Sequence, residues 1–126
     1  MNINAIFTAD AHEKGNSFVV KDIYGEDTDI VISMKGVHSK AWRKIVAERD
    51  RQFISTGGAS TISDEEMLAE ITTGWENMPN PKKPDEELKF SKKNAAMIYQ
   101  KAPIIFEQAN RFAGSLANFM MHSAEE

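Results

Sequence analysis

The fold class is decided by residues 17–34, which have the sequence SFVVKDIYGEDTDIVISM. Two short runs rich in β-branched residues, at 18–20 and 30–32, flank a polar segment at 24–27 that contains a glycine. β-Branched side chains favour strands, and a glycine among polar residues favours a turn between them. The stretch therefore predicts a β-hairpin.

The predicted hairpin has one apolar face. In its second strand Ile30, Ile32 and Met34 alternate with a mostly polar set of residues, and successive side chains of a strand point to opposite faces. An isolated hairpin is only marginally stable in water. We therefore expect helices to cover the apolar face, and the rest of the chain carries helical patterns.

Two helices are predicted after the hairpin. Ser39 is placed as the N-cap of the first, whose apolar residues recur at helical spacing. These residues, which we expect to be buried, are Trp42, Ile45, Val46 and Phe53. Ser63 and Glu66 form a capping box for the second helix, which should end by Met78 because Pro79 disfavours helical backbone before it. Its apolar residues are Met67, Leu68, Ile71 and Trp75.

Two more helices are predicted beyond a proline-rich connection at residues 79–89, which we expect to be exposed. Ser91 is placed to cap the third helix, and Pro103 should end it and begin the fourth. The third helix carries Ala95, Ile98 and Tyr99. The fourth has the strongest amphipathic pattern of the chain, with Ile105, Ala109, Phe112, Leu116 and Phe119.

Together these patterns predict an α+β fold, mainly α, with an N-terminal β-hairpin packed against a bundle of three to four helices. We expect a single domain over residues 1–126, with 1–16 and 122–126 as candidates for flexibility. The first of these segments also has helix-like apolar spacing, with Gly15 placed as a cap. Its apolar residues are Ile3, Ile6, Phe7 and Ala11.

The composition argues against several functional classes. The chain has no cysteine, which rules out disulfides, thiolate nucleophiles and sulfur-ligated metals. Its formal net charge of -4 argues against a nucleic-acid partner, because affinity for phosphates depends on lysine and arginine. No window approaches the roughly 18 apolar residues of a membrane span, and the first residues lack the pattern of a signal peptide. We therefore expect a cytosolic protein with protein partners.

The patterns of catalytic and metal sites are also missing from the sequence. His12, His38 and His122 are scattered along the chain, so we expect loop or surface histidines and no metal site. Glu65 and Glu66 lie in the first turn of a predicted helix, where capping explains them. No serine lies in a nucleophile elbow and no glycine pair continues into a phosphate loop. The sequence predicts no enzyme and no cofactor.

One surface is a candidate for binding a partner or a second copy of the chain. Ile104, Met120 and Met121 lie beside the apolar stripe of the fourth helix, and Phe119 lies at its end. Flexible methionine side chains suit an adaptable contact surface. We therefore assign partner binding or self-association to Ile104, Phe119, Met120 and Met121.

The order of these features resembles that of siphophage tail assembly chaperones, over residues 17–120. The most specific motif is Phe90-Ser91-x-x-Asn94-Ala95-x-x-Ile98-Tyr99-x-x-x-Pro103-x-Ile105-x-x-Gln108, followed by Asn118-Phe119. The shorter motifs are Asp27-Thr28-Asp29-Ile30, Ser39-Lys40-Ala41-Trp42-Arg43 and Thr73-Gly74-Trp75-Glu76. The resemblance rests on the order and spacing of these motifs, none of which encodes chemistry.

The resemblance implies a protein that coats the tape measure protein, keeps it soluble and promotes polymerisation of the major tail tube protein around it. Such a chaperone acts in the host cell cytoplasm during virion assembly and is absent from the mature virion. Apolar helical surface suits this role through helix-in-groove contacts, and many weak copies gain avidity by association. We therefore expect homo-oligomers.

Two alternatives stay open at this point. The first is a structural minor tail or connector protein that is retained in the particle. The second is a small nucleic-acid-binding regulator, which would use a basic run in the first helix after the hairpin. That run consists of Lys40, Arg43, Lys44, Arg49 and Arg51, but a solvated helix face is the simpler explanation, because the chain is acidic overall and has no helix-turn-helix or zipper pattern.

Overall fold

A computed structural model describes residues 9–115, which form five helices and five strands in two antiparallel sheets. The strands are β1 Asn16–Lys21, β2 Asp27–Met34, β3 Thr72–Glu76, β4 Pro79–Asn80 and β5 Lys83–Glu87. The helices are α1 Ala9–Lys14, α2 Lys40–Thr56, α3 Asp64–Ile71, α4 Lys92–Lys101 and α5 Pro103–Gly114. Ile3, Ile6, Phe7 and Leu116 lie outside the described residues.

The predicted hairpin is confirmed as β1 and β2, which pair antiparallel. The larger sheet has the strand order β1-β2-β3, and Ile32 lies opposite Phe18 on one side and Trp75 on the other. Ile32 and Met34 are completely buried, as expected for the apolar face of β2. The face that carries Ile32 therefore forms one wall of the core.

The predicted fold class, mainly α with a single N-terminal hairpin, is wrong. The chain is a mixed α+β fold whose strands also follow α3, in the middle of the sequence. The second predicted helix does not continue to Met78, because α3 ends at Ile71 and the next residues form β3 on the free edge of β2. Two threonines, which favour a strand, and a glycine, which disfavours a helix, follow Ile71.

Trp75 accordingly lies on a strand and not on a helix. Its indole Nε1 donates a hydrogen bond to the carbonyl oxygen of Leu88 at 2.8 Å, and its ring meets Phe90 edge to face, with ring centroids 5.1 Å apart. Between these contacts, β4 and β5 form a small hairpin within the connection at residues 79–89. The hairpin returns the chain to the core, where Leu88 N donates to Met78 O at 2.7 Å.

The three predicted N-caps are confirmed. The side chains of Ser39, Ser63 and Ser91 each accept a hydrogen bond from the backbone N–H three residues later. Pro103 lies in the first turn of α5, where its missing N–H costs no helical hydrogen bond. The core formed by α3, α4, α5 and the sheet includes Leu68, Ile71, Ala95, Ile98, Tyr99, Ile105, Ala109 and Ala113.

The prediction that α2 buries its apolar stripe is wrong in degree. Trp42, Ile45, Val46 and Phe53 are only half-buried, and no residue of this 17-residue helix is fully buried. The reason is that α2 packs mainly against one neighbour, α3. None of the helices within residues 9–115 combines the length and apolar character needed to cross a membrane.

Candidate partner-binding groove

An open groove of about 630 Å³ runs between α5 and the end of β1 with its turn. We call it the β1–α5 groove. Its apolar lining consists of Phe18, Val19, Ile23, Ile104 and Phe112, and its polar lining includes Lys21, Asp22, Glu107, Gln108 and Arg111. Both walls come from elements whose sequence patterns predicted them: β1 belongs to the hairpin and α5 to the strongest amphipathic stretch of the chain.

Two contacts hold α5 against β1. The rings of Phe18 and Phe112 pack with their centroids 4.8 Å apart. The side-chain amide of Gln108 binds the backbone of Lys21 twice, since its Oε1 accepts from Lys21 N and its Nε2 donates to Lys21 O, both at 2.8 Å. The Gln108 amide therefore occupies the place of a neighbouring strand at this point of the sheet edge.

The strand side of the groove presents apolar side chains to solvent. Val19 is 42% exposed and Ile23 is 74% exposed, and the adjacent Tyr24 is 82% exposed. The turn that carries Ile23 and Tyr24 is ordered by Asp22, whose Oδ1 accepts hydrogen bonds from the backbone N–H groups of Tyr24 and Glu26 at 2.9 and 3.1 Å. Clustered apolar exposure on a defined turn is typical of an interaction surface.

The charged groups of the groove divide into two kinds. Lys21 pairs with Asp27 at 3.2 Å, and Asp22 is used by the turn. Glu107 and Arg111 are exposed on α5, one helical turn apart, and neither forms an ion pair with any residue between 9 and 115. These two groups can therefore meet charges on a bound partner.

Of the site residues predicted from sequence, Ile104 lies in the wall of the β1–α5 groove and is half-buried. Phe119, Met120 and Met121 lie outside the described residues. Sequence reasoning missed Val19 and Ile23, because it assigned the hairpin to the fold alone. The available signal was Ile23 next to Tyr24 at the start of the predicted turn, where large apolar side chains are uncommon.

A second exposed apolar residue lies on α2. Ile54 is 85% exposed, but α2 has no adjacent apolar wall comparable to that of the β1–α5 groove. The depression beside α2 is lined mainly by charged and small residues, and the Glu70–Lys92 ion pair crosses it at 2.9 Å. Ile54 therefore serves best as a matched control for Ile23.

Three members of the basic run on α2 are engaged within the chain. Arg43 donates to the carbonyl oxygen of His38 at 2.9 Å, Arg49 pairs with Asp64 at 2.7 Å, and Arg51 pairs with Glu48. Phosphate binding needs several cations that are free to meet the backbone. These contacts within the chain are consistent with the simpler interpretation of the run, a solvated helix face.

The structure brings two of the three histidines together, with the ring centroids of His12 and His38 4.5 Å apart. His12 is completely buried, so the expectation of a loop or surface histidine was wrong for this residue. Its Nδ1 accepts a hydrogen bond from the backbone N–H of His38 at 3.0 Å. Burial, followed by the neighbouring His38, lowers the pKa of His12. His122 lies outside the described residues.

The close approach of α1 to the segment after β2 explains this burial. His12 O accepts from Gly36 N at 2.9 Å, and a β-carbon added at Gly36 would lie 1.8 Å from His12 Nδ1. Glu13 binds the same segment through Lys35 Nζ at 3.2 Å and Lys40 N at 2.8 Å. The two histidines are thus part of a packing contact, and no cluster of three metal-binding side chains occurs within residues 9–115.

Comparisons with protein-family models, with curated proteins and with solved structures found no match to this chain.

Proposed function

We propose that this chain is a tail assembly chaperone that binds helical segments of a tape measure protein in the β1–α5 groove. Two independent lines support the proposal: the ordered motifs that resemble the siphophage family, and an open groove with an apolar lining. The single observation that carries it is the exposure of Val19 and Ile23 beside the half-buried Ile104. A polypeptide that covers these side chains removes apolar surface from water, which is favourable.

The groove favours a helix over a strand as its occupant. Strand addition would need free backbone groups along the edge of β1, but the Gln108 amide already binds both polar groups of Lys21. A helix needs no such groups, because its backbone hydrogen bonds are internal. An amphipathic segment of the tape measure protein can therefore bind by placing its apolar stripe against Val19, Ile23 and Ile104.

Under this proposal the chaperone acts by covering its client. Each copy shields a short stretch of the tape measure protein in the host cytoplasm, and many copies keep the long client soluble until the tail tube protein polymerises around it. No catalytic group is required. The chaperone leaves as the tube forms, so the mature virion should not contain it.

The direct test measures the affinity of the purified chain for overlapping tape measure segments by isothermal titration calorimetry. Burying an isoleucine side chain contributes about 1.5–3 kcal/mol. Since Ile23 keeps most of its surface exposed, Ile23→Gln should weaken binding about 10-fold, which corresponds to about 1.4 kcal/mol. Ile54→Gln is the matched control, because Ile54 is at least as exposed as Ile23 but lies on α2, and it should leave the affinity unchanged.

Two results would contradict the proposal. One is equal affinity of the Ile23 and Ile54 variants, which would remove the groove as the binding site. The other is the detection of the chain at fixed stoichiometry in purified virions by mass spectrometry, which would favour the structural tail or connector protein. A salt-dependent gel shift with nucleic acid would favour the regulator, because phosphate contacts weaken steeply with salt.

A further inference from the structure

We propose that, without a client, the β1–α5 groove is occupied by α5 of a second copy of the chain, in a two-fold symmetric antiparallel dimer. This inference goes beyond the proposed function and does not depend on the identity of the client. It specifies the interface of the expected oligomer.

The charges of α5 are self-complementary. Glu107 and Arg111 are both exposed and have opposite signs, and four residues of helix separate them by about 6 Å along the axis. When two copies of α5 run antiparallel about a two-fold axis level with Ala109, Glu107 of each copy lies opposite Arg111 of the other. Two-fold symmetry repeats this contact, so one pair of residues produces two intermolecular ion pairs.

The same register also matches the shapes of the two helices. It places Ile104 of one copy opposite Gly114 of the other, five residues on either side of Ala109. Gly114 is exposed and has no atom within 4 Å of the position of an added β-carbon, so it leaves room for an isoleucine side chain. The exposed Ile23 lines the groove that the second α5 would occupy, and it would be covered there.

On α2, by contrast, several charges are already paired within the chain. Arg49 and Arg51 are paired within the chain, with Asp64 and Glu48 respectively. A second copy placed against that helix would have to compete with existing ion pairs. Compared with the α2 face that carries Ile54, the α5 face beside Ile23 therefore offers the better self-complementary charges.

The test is charge reversal, measured by sedimentation equilibrium of the purified full chain at micromolar concentration. E107R places two arginines opposite each other at both contacts, and R111E does the same with two glutamates. Each single variant should dissociate about 30-fold more readily than the wild type. The double variant E107R/R111E restores opposite charges and should dimerise like the wild type.

An equimolar mixture of the two single variants gives the sharpest result. In a mixed dimer both contacts pair a glutamate with an arginine, so the mixture should dimerise more tightly than either variant does alone. E86R is the control for net charge, because Glu86 is exposed on β5 and forms no ion pair within residues 9–115. It should dimerise like the wild type, and circular dichroism should show that all variants fold.

A wild type that stays monomeric would overturn the inference, as would single variants that dimerise normally or a mixture that stays monomeric. These outcomes are separate from those of the proposed function. The dimer is measured without any client, whereas client binding is measured by calorimetry with tape measure segments. Loss of one result with retention of the other therefore identifies which proposal has failed.

Discussion

Removal of the buried hydroxyl of Thr72 should destabilise the protein more than removal of the hydroxyl of its partner Tyr99. Both residues are almost completely buried, and their hydroxyl oxygens are 2.7 Å apart. Thr72 Oγ1 also lies 2.9 Å from the carbonyl oxygen of Leu68, which can only accept a hydrogen bond. The single proton of Thr72 is therefore donated to Leu68 O, and Tyr99 donates to Thr72. This chain of two hydrogen bonds joins α4 to the junction between α3 and β3.

The magnitudes follow from which group is left without a partner. Tyr99→Phe removes a donor but leaves Thr72 bonded to Leu68, so the free energy of unfolding should fall by about 1 kcal/mol. Thr72→Val keeps the branched shape but leaves the Tyr99 hydroxyl buried without an acceptor, and the loss should be about 2–3 kcal/mol. In the double variant no stranded hydroxyl remains, so it should be more stable than Thr72→Val alone by about 1 kcal/mol.

Urea unfolding followed by the fluorescence of Trp42 and Trp75 provides the assay, with the free energy extrapolated to water. A Tyr99→Phe loss larger than that of Thr72→Val, or a double variant whose loss equals the sum of the two, would refute the reasoning. Burial also raises the pKa of Tyr99 to about 12. The stability that the buried Tyr99 phenol contributes through this shift is therefore fully present below pH 10.0, the ordinary pKa of tyrosine. It is lost as the pH rises from 10.0 to about 12. Tyr99→Phe should remove this loss.

Two further predictions concern the contact between α1 and the segment after β2. Because burial lowers the pKa of His12, the folded state binds that proton less tightly than the unfolded state, and stability should fall as the pH drops below 6.5. In urea unfolding, His12→Gln should reduce the fall in the free energy of unfolding below pH 6.5. An unchanged dependence of that free energy on pH would contradict the prediction. The pKa of Glu13 is also lowered, mainly by the backbone N–H of Lys40, but its contribution is lost only below 4.5. Gly36→Ala should cost about 1–3 kcal/mol because its β-carbon would overlap His12, whereas Gly74→Ala, with open space around it, should be nearly neutral in the same assay.

Much of the local structure was predictable from short-range patterns. The hairpin of β1 and β2 follows from alternation and a glycine turn, and the starts of α2, α3 and α4 follow from serine caps. These features depend on hydrogen bonds and backbone preferences within a few residues, so the sequence near each site is sufficient to predict them. Pro103 likewise separates α4 from α5 through its own ring geometry.

The end of α3 could not be predicted in this way. The spacing of Met67, Leu68, Ile71 and Trp75 fits one helix face, yet the chain leaves the helix at Ile71 and places Trp75 opposite Ile32. The helical pattern competes with a free edge on β2, more than 35 residues earlier in the chain. Only the folded arrangement shows that this edge is available, and pairing with it satisfies backbone groups that a longer helix would have satisfied internally.

The candidate site, too, could be predicted from the sequence only in part. The sequence alone identifies Ile104 as an apolar residue beside the core stripe of the fourth helix, and it identifies the strands and helices that supply both walls. The groove itself depends on contacts between residues far apart in the chain, above all the Gln108 amide on Lys21 and the packing of Phe18 against Phe112. Periodicity reports which face of an element is apolar, but the partner of that face and the part left uncovered are set by how the elements meet. For this reason Val19 and Ile23 become candidate binding residues only in the tertiary structure.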